Sequence, residues 1–353
     1  MANKQQELKR KTIYLLLIIG LALSVIVSMS VGAMKIPLGQ VVLSIPDMLG
    51  IYKSPHLDNQ YTNVLAVVRI PRVLLCVLVG AALGISGAAI QGVFRNPLAE
   101  PGLVGISAGA SLASAVVLTL SLTLLAPLSD YLGHYLLIIS AFAGAVIAAL
   151  LIYRISKTGG MPHITTMLLA GIAINALAGA LTGLISFLAN DQQLRSITFW
   201  MLGSLAGATV ETLITVSSFI LIPVIALPMM GKKLNAFALG EAQAQALGMQ
   251  PNQIKQQVVL LSTMAVGAAV SVSGIIGFVG LLVPHIVRLM GGVDHRYVLP
   301  ASALMGALML TLADTLSRIL MPPMELPIGV ITALLGAPVF ISILIRDKKK
   351  LVH

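Results

Sequence analysis

Long apolar runs, broken by short polar intervals, dominate the chain. Most of these runs reach the ~20 apolar residues that a bilayer-spanning helix requires. They predict spans near 13–34, 70–93, 101–122, 135–155, 164–188, 198–230, 257–276, 278–291, 301–320 and 327–345. The sixth begins indistinctly and the eighth is short and interrupted. The longest polar stretches, 46–63 and 231–256, are too short for a separate domain. The expected fold is therefore all-α and transmembrane, with about ten helices in one domain over residues 1–353.

Composition strengthens this reading. Of 353 residues, 58% are hydrophobic and 10% charged, against roughly 25% charged in ordinary soluble domains. The net charge of +10 sits in short clusters between apolar runs, as topology signals do, and not on one face as in a nucleic-acid binder. Sixteen of the 22 Lys and Arg fall in one set of alternate loops and six in the other, which holds Lys35, Lys53, Arg69, Arg72, Arg195 and Arg318. With an even number of spans, that bias puts both termini in the cytoplasm. Lys4, Lys9, Arg10 and Lys11 precede the apolar stretch from Ile13 to Val31. The stretch is longer than the ~7–15 residues of a signal-peptide core, so an uncleaved first span is expected. The single cysteine, Cys76, reads as a small buried hydrophobe, and no metal-ligand spacing is present.

A faint internal repeat is visible. Ser86-Gly87 precedes Pro97 as Ser273-Gly274 precedes Pro284, five spans apart. An odd number of spans between equivalents gives an inverted repeat, a transporter feature. Small-xxx-small steps at Gly80/Gly84, Gly105/Gly109, Gly179/Gly183 and Gly203/Gly207 fit close helix packing.

Four regions carry more specific chemistry. Arg95-Asn-Pro-Leu-Ala-Glu-Pro-Gly102 interrupts the apolar pattern; a tight turn and a pore-lining gate both fit it. Leu239 to Gly248 is Ala-rich and bracketed by Gly240 and Gly248, with Leu239, Ala242, Ala246 and Leu247 on one face. A short helix of this kind, over residues 239–249, suits docking to a partner. Arg69 and Arg72 flank Pro71 at the outer end of the second span and Arg318 lies near the outer end of the ninth, where snorkelling or an acidic partner accounts for them. Asp314 is placed to pair with Arg318 one turn on. Glu211 and Glu325 are the other acids near the membrane, where ionisable groups are functional candidates. No phosphate-binding loop and no nucleophile or metal set stands out, so another chain must hydrolyse any ATP used.

The sequence resembles the permeases of type II ATP-binding-cassette importers for iron complexes and vitamin B12. The motifs that carry the likeness are Arg69-Ile-Pro-Arg72, Ser86-Gly-Ala-Ala-Ile-Gln91 running into Arg95–Gly102, Gly240-Glu241 through Leu247-Gly248, Gly277–Arg288 with Asp294-His-Arg296, and Glu325–Phe340. The resemblance implies a homodimer in the bacterial inner membrane, two cytoplasmic ATPase subunits, and a periplasmic binding protein that delivers the cargo. It implies that Gly240, Glu241, Ala244, Leu247 and Gly248 form a coupling helix. Arg69, Arg72 and Arg318 would meet glutamates of the binding protein. Asn96 and Leu98 match one cytoplasmic gate, and Thr165 and Thr166 lie where the other is expected. The chain itself would bind no cofactor, no metal and no nucleic acid; ATP is used by the partner subunit.

For the cargo, Asn190–Ser204 and Leu169–Asn175 resemble the haem branch of the family. Haem is therefore the expected cargo, with a ferric siderophore or cobalamin as alternatives. Arg195 on the pathway suits haem carboxylates, and Met161 and His163 are weaker candidates for transient iron contact; His56 and His134 are weaker still. An ion-driven secondary transporter shares inverted repeats but needs no coupling helix. A channel needs no energy source, and a membrane enzyme needs a reactive set that the sequence lacks.

Overall fold

The computed structural model describes residues 2–32, 34–48, 58–121 and 123–351. Lys53 and His56 lie outside them. In chain order the helices are α1 (Ala2–Ser30), α2 (Leu38–Met48), α3 (Asn59–Val64), α4 (Ile70–Phe94), α5 (Ile106–Leu120), α6 (Ala126–Leu132) and α7 (Tyr135–Ile155). A small hairpin, β1 (Lys157–Thr158) and β2 (Met161–Pro162), precedes α8 (Ile164–Leu188), α9 (Asp191–Leu202), α10 (Val210–Met229), α11 (Gly231–Ala238) and α12 (Glu241–Ala246). The chain closes with α13 (Pro251–Ser273), α14 (Val279–Gly291), α15 (His295–Ile319) and α16 (Ile328–Leu351). Seven helical stretches among the described residues are long and apolar enough to cross a membrane, and three shorter apolar ones accompany them.

The bundle has two ends. At one, Arg10 of α1 pairs with Asp294 at 3.1 Å; at the other, Arg318 of α15 donates to the Ser28 carbonyl of α1 at 3.0 Å. About 27 Å of helix separates Arg10 from Ser28, close to the ~30 Å hydrocarbon core. The start of α1 and the end of α16 belong to the Arg10 end, called here the terminal end; the other is the far end.

The central seam is the antiparallel pair α4 and α15. Glycine makes it close: a Cβ on Gly80 would run into the Gly306 carbonyl, and one on Gly84 into that of Ser302. Lipid gives no hydrophobic drive between helices, so this backbone approach supplies van der Waals contact directly. Gly109 meets Gly144 of α7 in the same way, whereas Gly179, Gly183 and Gly207 face open space.

Several boundaries differ from the sequence pattern for local reasons. The second span, expected from residue 70, is preceded by further helical chain. Helical chain starts at Asn59, where Asp58 accepts the Gln60 amide at 2.8 Å, and a π-turn over Leu65–Arg69 leads into α4. Pro71 has no N–H to give the Val67 carbonyl, and the π-turn just before it accommodates that missing bond. The expected sixth span is two elements. Asn190 and Gln193 cap α9 reciprocally, Gly203 ends it at φ 76°, and Thr209 caps α10. Glu211 therefore sits in the first turn of α10, at the very end of that span. The third apolar helix starts at Ile106 after a 3-10 turn over Pro101–Val104. The two Ser-Gly pairs of the repeat are not equivalent locally, since Ser86-Gly87 lies inside α4 and Ser273 ends α13. The helices that carry them nevertheless run in opposite directions.

Candidate functional site

A cavity of about 540 Å³ opens among α4, α5, α8, α9, α13 and the loop before α14. Its size is within the usual range for ligand pockets. The lining is largely apolar and includes Leu83, Leu103, Met201, Val266 and Phe278. Gly179 and Gly183 of α8 form part of the wall, and their missing side chains keep it wide.

The polar groups are few. The Asn175 amide N–H₂ donates to the Gly102 carbonyl at 3.1 Å, while its oxygen has no protein partner. The Ser111 hydroxyl is likewise unpartnered. Glu100 is the one acid on the lining, and burial pushes its carboxyl above the usual value. The first turns of the short helices α5 and α14 also meet the cavity, through Ser107, Ala108 and Gly280. Amide groups in a first helical turn lack intrahelical acceptors and carry the positive end of the helix dipole. An apolar chamber bordered by two such ends suits an apolar solute bearing negative groups.

Phe278 enters α14 at φ 67°, a left-handed conformation that disfavours a bulky residue by about 1–2 kcal/mol. Its ring carbons pack under Gly336. Strain of this kind gathers where surrounding structure fixes a functional wall.

The cavity does not include the pathway residues expected from sequence. Arg195 is exposed on α9, but Met201, six positions on and turned to another face, is the one that lines the cavity. Met161 on β2 and His163 at the start of α8 are exposed outside it. Glu100, Ser111 and Asn175 were missed as site residues, although Glu100 and Asn175 fall inside quoted motifs. Unpaired polar residues in apolar runs were the available signal.

The far-end arginines are not free. Arg69, Arg72 and Arg318 are each 6% exposed. Arg72 donates to Asp314 Oδ1 through Nε at 3.0 Å and Nη2 at 2.8 Å, and to both oxygens of Glu325 at 3.0 and 2.8 Å. Arg318 Nε meets Asp314 Oδ2 at 3.0 Å, the pairing expected one turn apart, and its other nitrogens reach Ser28 and Val31. Arg69 donates to the carbonyls of Val31 and Met34. The expectation of outward guanidiniums is thus corrected. Helical chain continues for eleven residues before Ile70, so Arg69 and Arg72 lie within the bundle and are satisfied by it.

At the terminal end, the Arg95–Gly102 stretch is a turn. Arg95 is left-handed at φ 48° and its guanidinium lies 6.0 Å from the Phe237 ring centre. Asn96 accepts the Leu98 amide at 2.9 Å, and Leu98 is exposed. Thr165 and Thr166 occupy the first turn of α8, more than a turn closer to this end than the contact of Gly171 with Leu103. No hydrogen bond joins the two pairs among the described residues.

The Ala-rich segment holds a short helix, α12. Gly240 (φ 123°) and Gly248 (φ 77°) bend the chain into and out of it. Lys255 of α13 anchors it, donating to Glu241 at 2.7 Å and to the Pro162 carbonyl at 2.9 Å. Ala244 is fully buried and seats the helix, so it is not available to a partner. Leu239 and Leu247, both more than 60% exposed, with Ala242 and Ala246, leave an apolar face open.

The family model of the FecCD transport family matches residues 17–346. The chain is 41% identical over 334 residues to the hemin transport system permease protein HmuU of Yersinia pestis, covering 95% of this chain and 97% of that protein. It is 38% identical over 288 residues to the cobalamin import system permease protein BtuC of Halobacterium salinarum, covering 81% and 74%. A solved ABC transporter of metal-chelate type, in an inward-facing conformation, superposes with a TM-score of 0.81 at 28% identity, over 95% of this chain and 99% of that one.

Proposed function

The chain belongs to the FecCD transport family, and from that premise we propose that its cargo is haem. It is a multi-pass membrane permease of an ABC importer, whose ATP is hydrolysed by separate subunits and whose cargo comes from a binding protein. The observation that carries the haem reading is the largely apolar cavity, bordered by two helix N-termini. Haem has a flat apolar ring and two carboxylates, and such a lining accommodates both parts. Likeness to a hemin permease over nearly the full length supports the same reading. Cobalamin and ferric siderophores are the alternatives, since a cobalamin permease is nearly as similar.

The working unit on this reading is a homodimer in the inner membrane, with both termini cytoplasmic. The exposed face of Leu239, Ala242, Ala246 and Leu247 docks to the ATPase, with Glu241 and Lys255 holding the helix in place. Asn96 and Leu98 close the pathway from one side, and Thr165 and Thr166 from the other. At the far end, a carboxylate of the binding protein replaces Glu325 on Arg72, because Glu325 is the exposed member of that cluster at 38%.

Uptake into proteoliposomes holding the permease, its ATPase and its binding protein tests the cargo. Haem, a ferric siderophore and cobalamin are compared with and without ATP. ATP-dependent entry of haem alone is the expected result. Entry of cobalamin or the siderophore in its place overturns the cargo reading.

A further inference from the structure

A second cavity, of about 610 Å³, lies at the terminal end among α1, the end of α4, α11 and the α14–α15 junction. Asn96 and Leu239 on its rim belong to the gate and docking face proposed above, but its basic wall, with the Arg288 and Asp294-His-Arg296 motifs that line or flank it, has no part in that reading. Three guanidiniums face the cavity, from Arg10, Arg95 and Arg288, against one carboxylate, Asp294.

That carboxylate is already consumed. Asp294 accepts from Asn235 at 2.7 Å, from the Arg296 amide at 3.0 Å and from the Arg296 side chain at 3.1 Å, and pairs with Arg10 at 3.1 Å. Neither Arg95 nor Arg288 takes part in an ion pair among the described residues. Arg288 is half-buried and held by the side-chain oxygen of Gln91. Gln91 is fixed in that orientation because its N–H₂ donates to the carbonyls of Gly280 and Leu281, at 3.4 and 3.2 Å. His295 Nδ1 lies 2.9 Å from Asn235 Oδ1. The Asn235 N–H₂ is used on Asp294, so its oxygen accepts and His295 donates. The walls thus present net positive charge, with the Arg288 fork oriented by Gln91 and no carboxylate besides Asp294 on the lining among the described residues. A half-buried guanidinium with no carboxylate partner gains from an incoming anion, and planar guanidinium forks match phosphate oxygens.

We propose that this cavity binds a phosphate-class anion. The position favours a lipid headgroup as one source. Arg10 stands three residues before the apolar run that begins at Ile13, and the rim carries the exposed apolar side chains Leu239 and Val293. Basic pockets between helices at the cytoplasmic face of membranes bind such headgroups. Free inorganic phosphate offers the same chemistry from the aqueous side. The inference does not depend on which cargo is carried.

The test uses the full-length permease in nanodiscs. One arm compares phosphatidylcholine alone with phosphatidylcholine plus phosphatidylglycerol, and counts retained phosphatidylglycerol by native mass spectrometry. The other titrates inorganic phosphate against ionic-strength-matched chloride and reads thermal stability. Arg288→Gln and Arg95→Gln are each expected to weaken anion binding by about tenfold or more, while Lys232→Gln, an exposed charge off the cavity, leaves it unchanged. Arg95 is exposed, so its variant keeps the test valid if Arg288→Gln fails to fold. Retention of phosphatidylglycerol alone identifies the headgroup as source, and a phosphate shift alone identifies the free ion. No preference for either anion overturns the proposal, as does an equal loss in Lys232→Gln. Weakened association with the ATPase without anion binding also overturns it, and makes the cavity a protein contact.

Discussion

Asp314→Asn is the most direct test of how the far end is held together. The carboxylate is fully buried, accepts two hydrogen bonds from Arg72 at 3.0 and 2.8 Å, and pairs with Arg318 at 3.0 Å. Asparagine keeps the volume but removes the charge, and points an N–H₂ donor at a guanidinium. Arg72 then keeps only Glu325, and Arg318 has no carboxylate partner. Removing one partner of a buried ion pair costs about 3–5 kcal/mol, chiefly through the charge left uncompensated. Simple addition of its two charge-assisted hydrogen bonds from Arg72 gives about 3–6 kcal/mol, and the ion-pair range is preferred because such terms are not additive. Glu325→Gln is the internal comparison. Glu325 is 38% exposed and Arg72 keeps Asp314, so its loss costs about 1 kcal/mol or less. Equilibrium unfolding in mixed micelles, titrated with a denaturing detergent, reads both values. A double mutant of Asp314→Asn with Arg72→Gln should cost less than the sum of the single changes, by about 0.5–3 kcal/mol. An Asp314→Asn protein within about 0.5 kcal/mol of the parent, or no worse than Glu325→Gln, refutes the reasoning.

Three further outcomes are expected. Burial works to raise the Asp294 carboxyl, but hydrogen bonds from Arg296 and Asn235 outweigh it and hold the group below the usual carboxylate range. Stability from this site is present above the unfolded value near 4 and is lost as pH falls through the lower folded value; Asp294→Asn should flatten that acid limb in an unfolding series from pH 6 downward. Leu247→Asp should weaken assembly with the ATPase subunit while leaving the permease folded, since Leu247 is exposed and Ala244 seats the helix; unchanged co-purification counts against the docking role of α12. Gly183→Leu should slow uptake at least severalfold with little change in stability, because a side chain there enters open cavity space; normal uptake removes the cavity from the pathway.

The sequence by itself determined the solvent and the class. Apolar runs of the right length leave only the bilayer as surroundings, and local motifs such as Arg95–Gly102 and Gly240–Gly248 mark turns whose geometry neighbouring residues decide. Asp314 and Arg318 were legible as a pair because one helical turn joins them. What the tertiary structure decided is the set of contacts between residues distant along the chain. Arg72 and Asp314 are 242 positions apart, and no periodicity places them together, so arginines that read as outward proved to be internally paired. The cavity was hidden for the same reason. Glu100, Ser111, Asn175 and Gly183 belong to different segments, and only the packing of α4, α5, α8 and α13 brings them to one wall. The split of the sixth span into α9 and α10 lies between these cases. Its capping residues were present in the sequence, but hydrophobicity averaged over a span-length window conceals a short amphipathic helix beside a long apolar one.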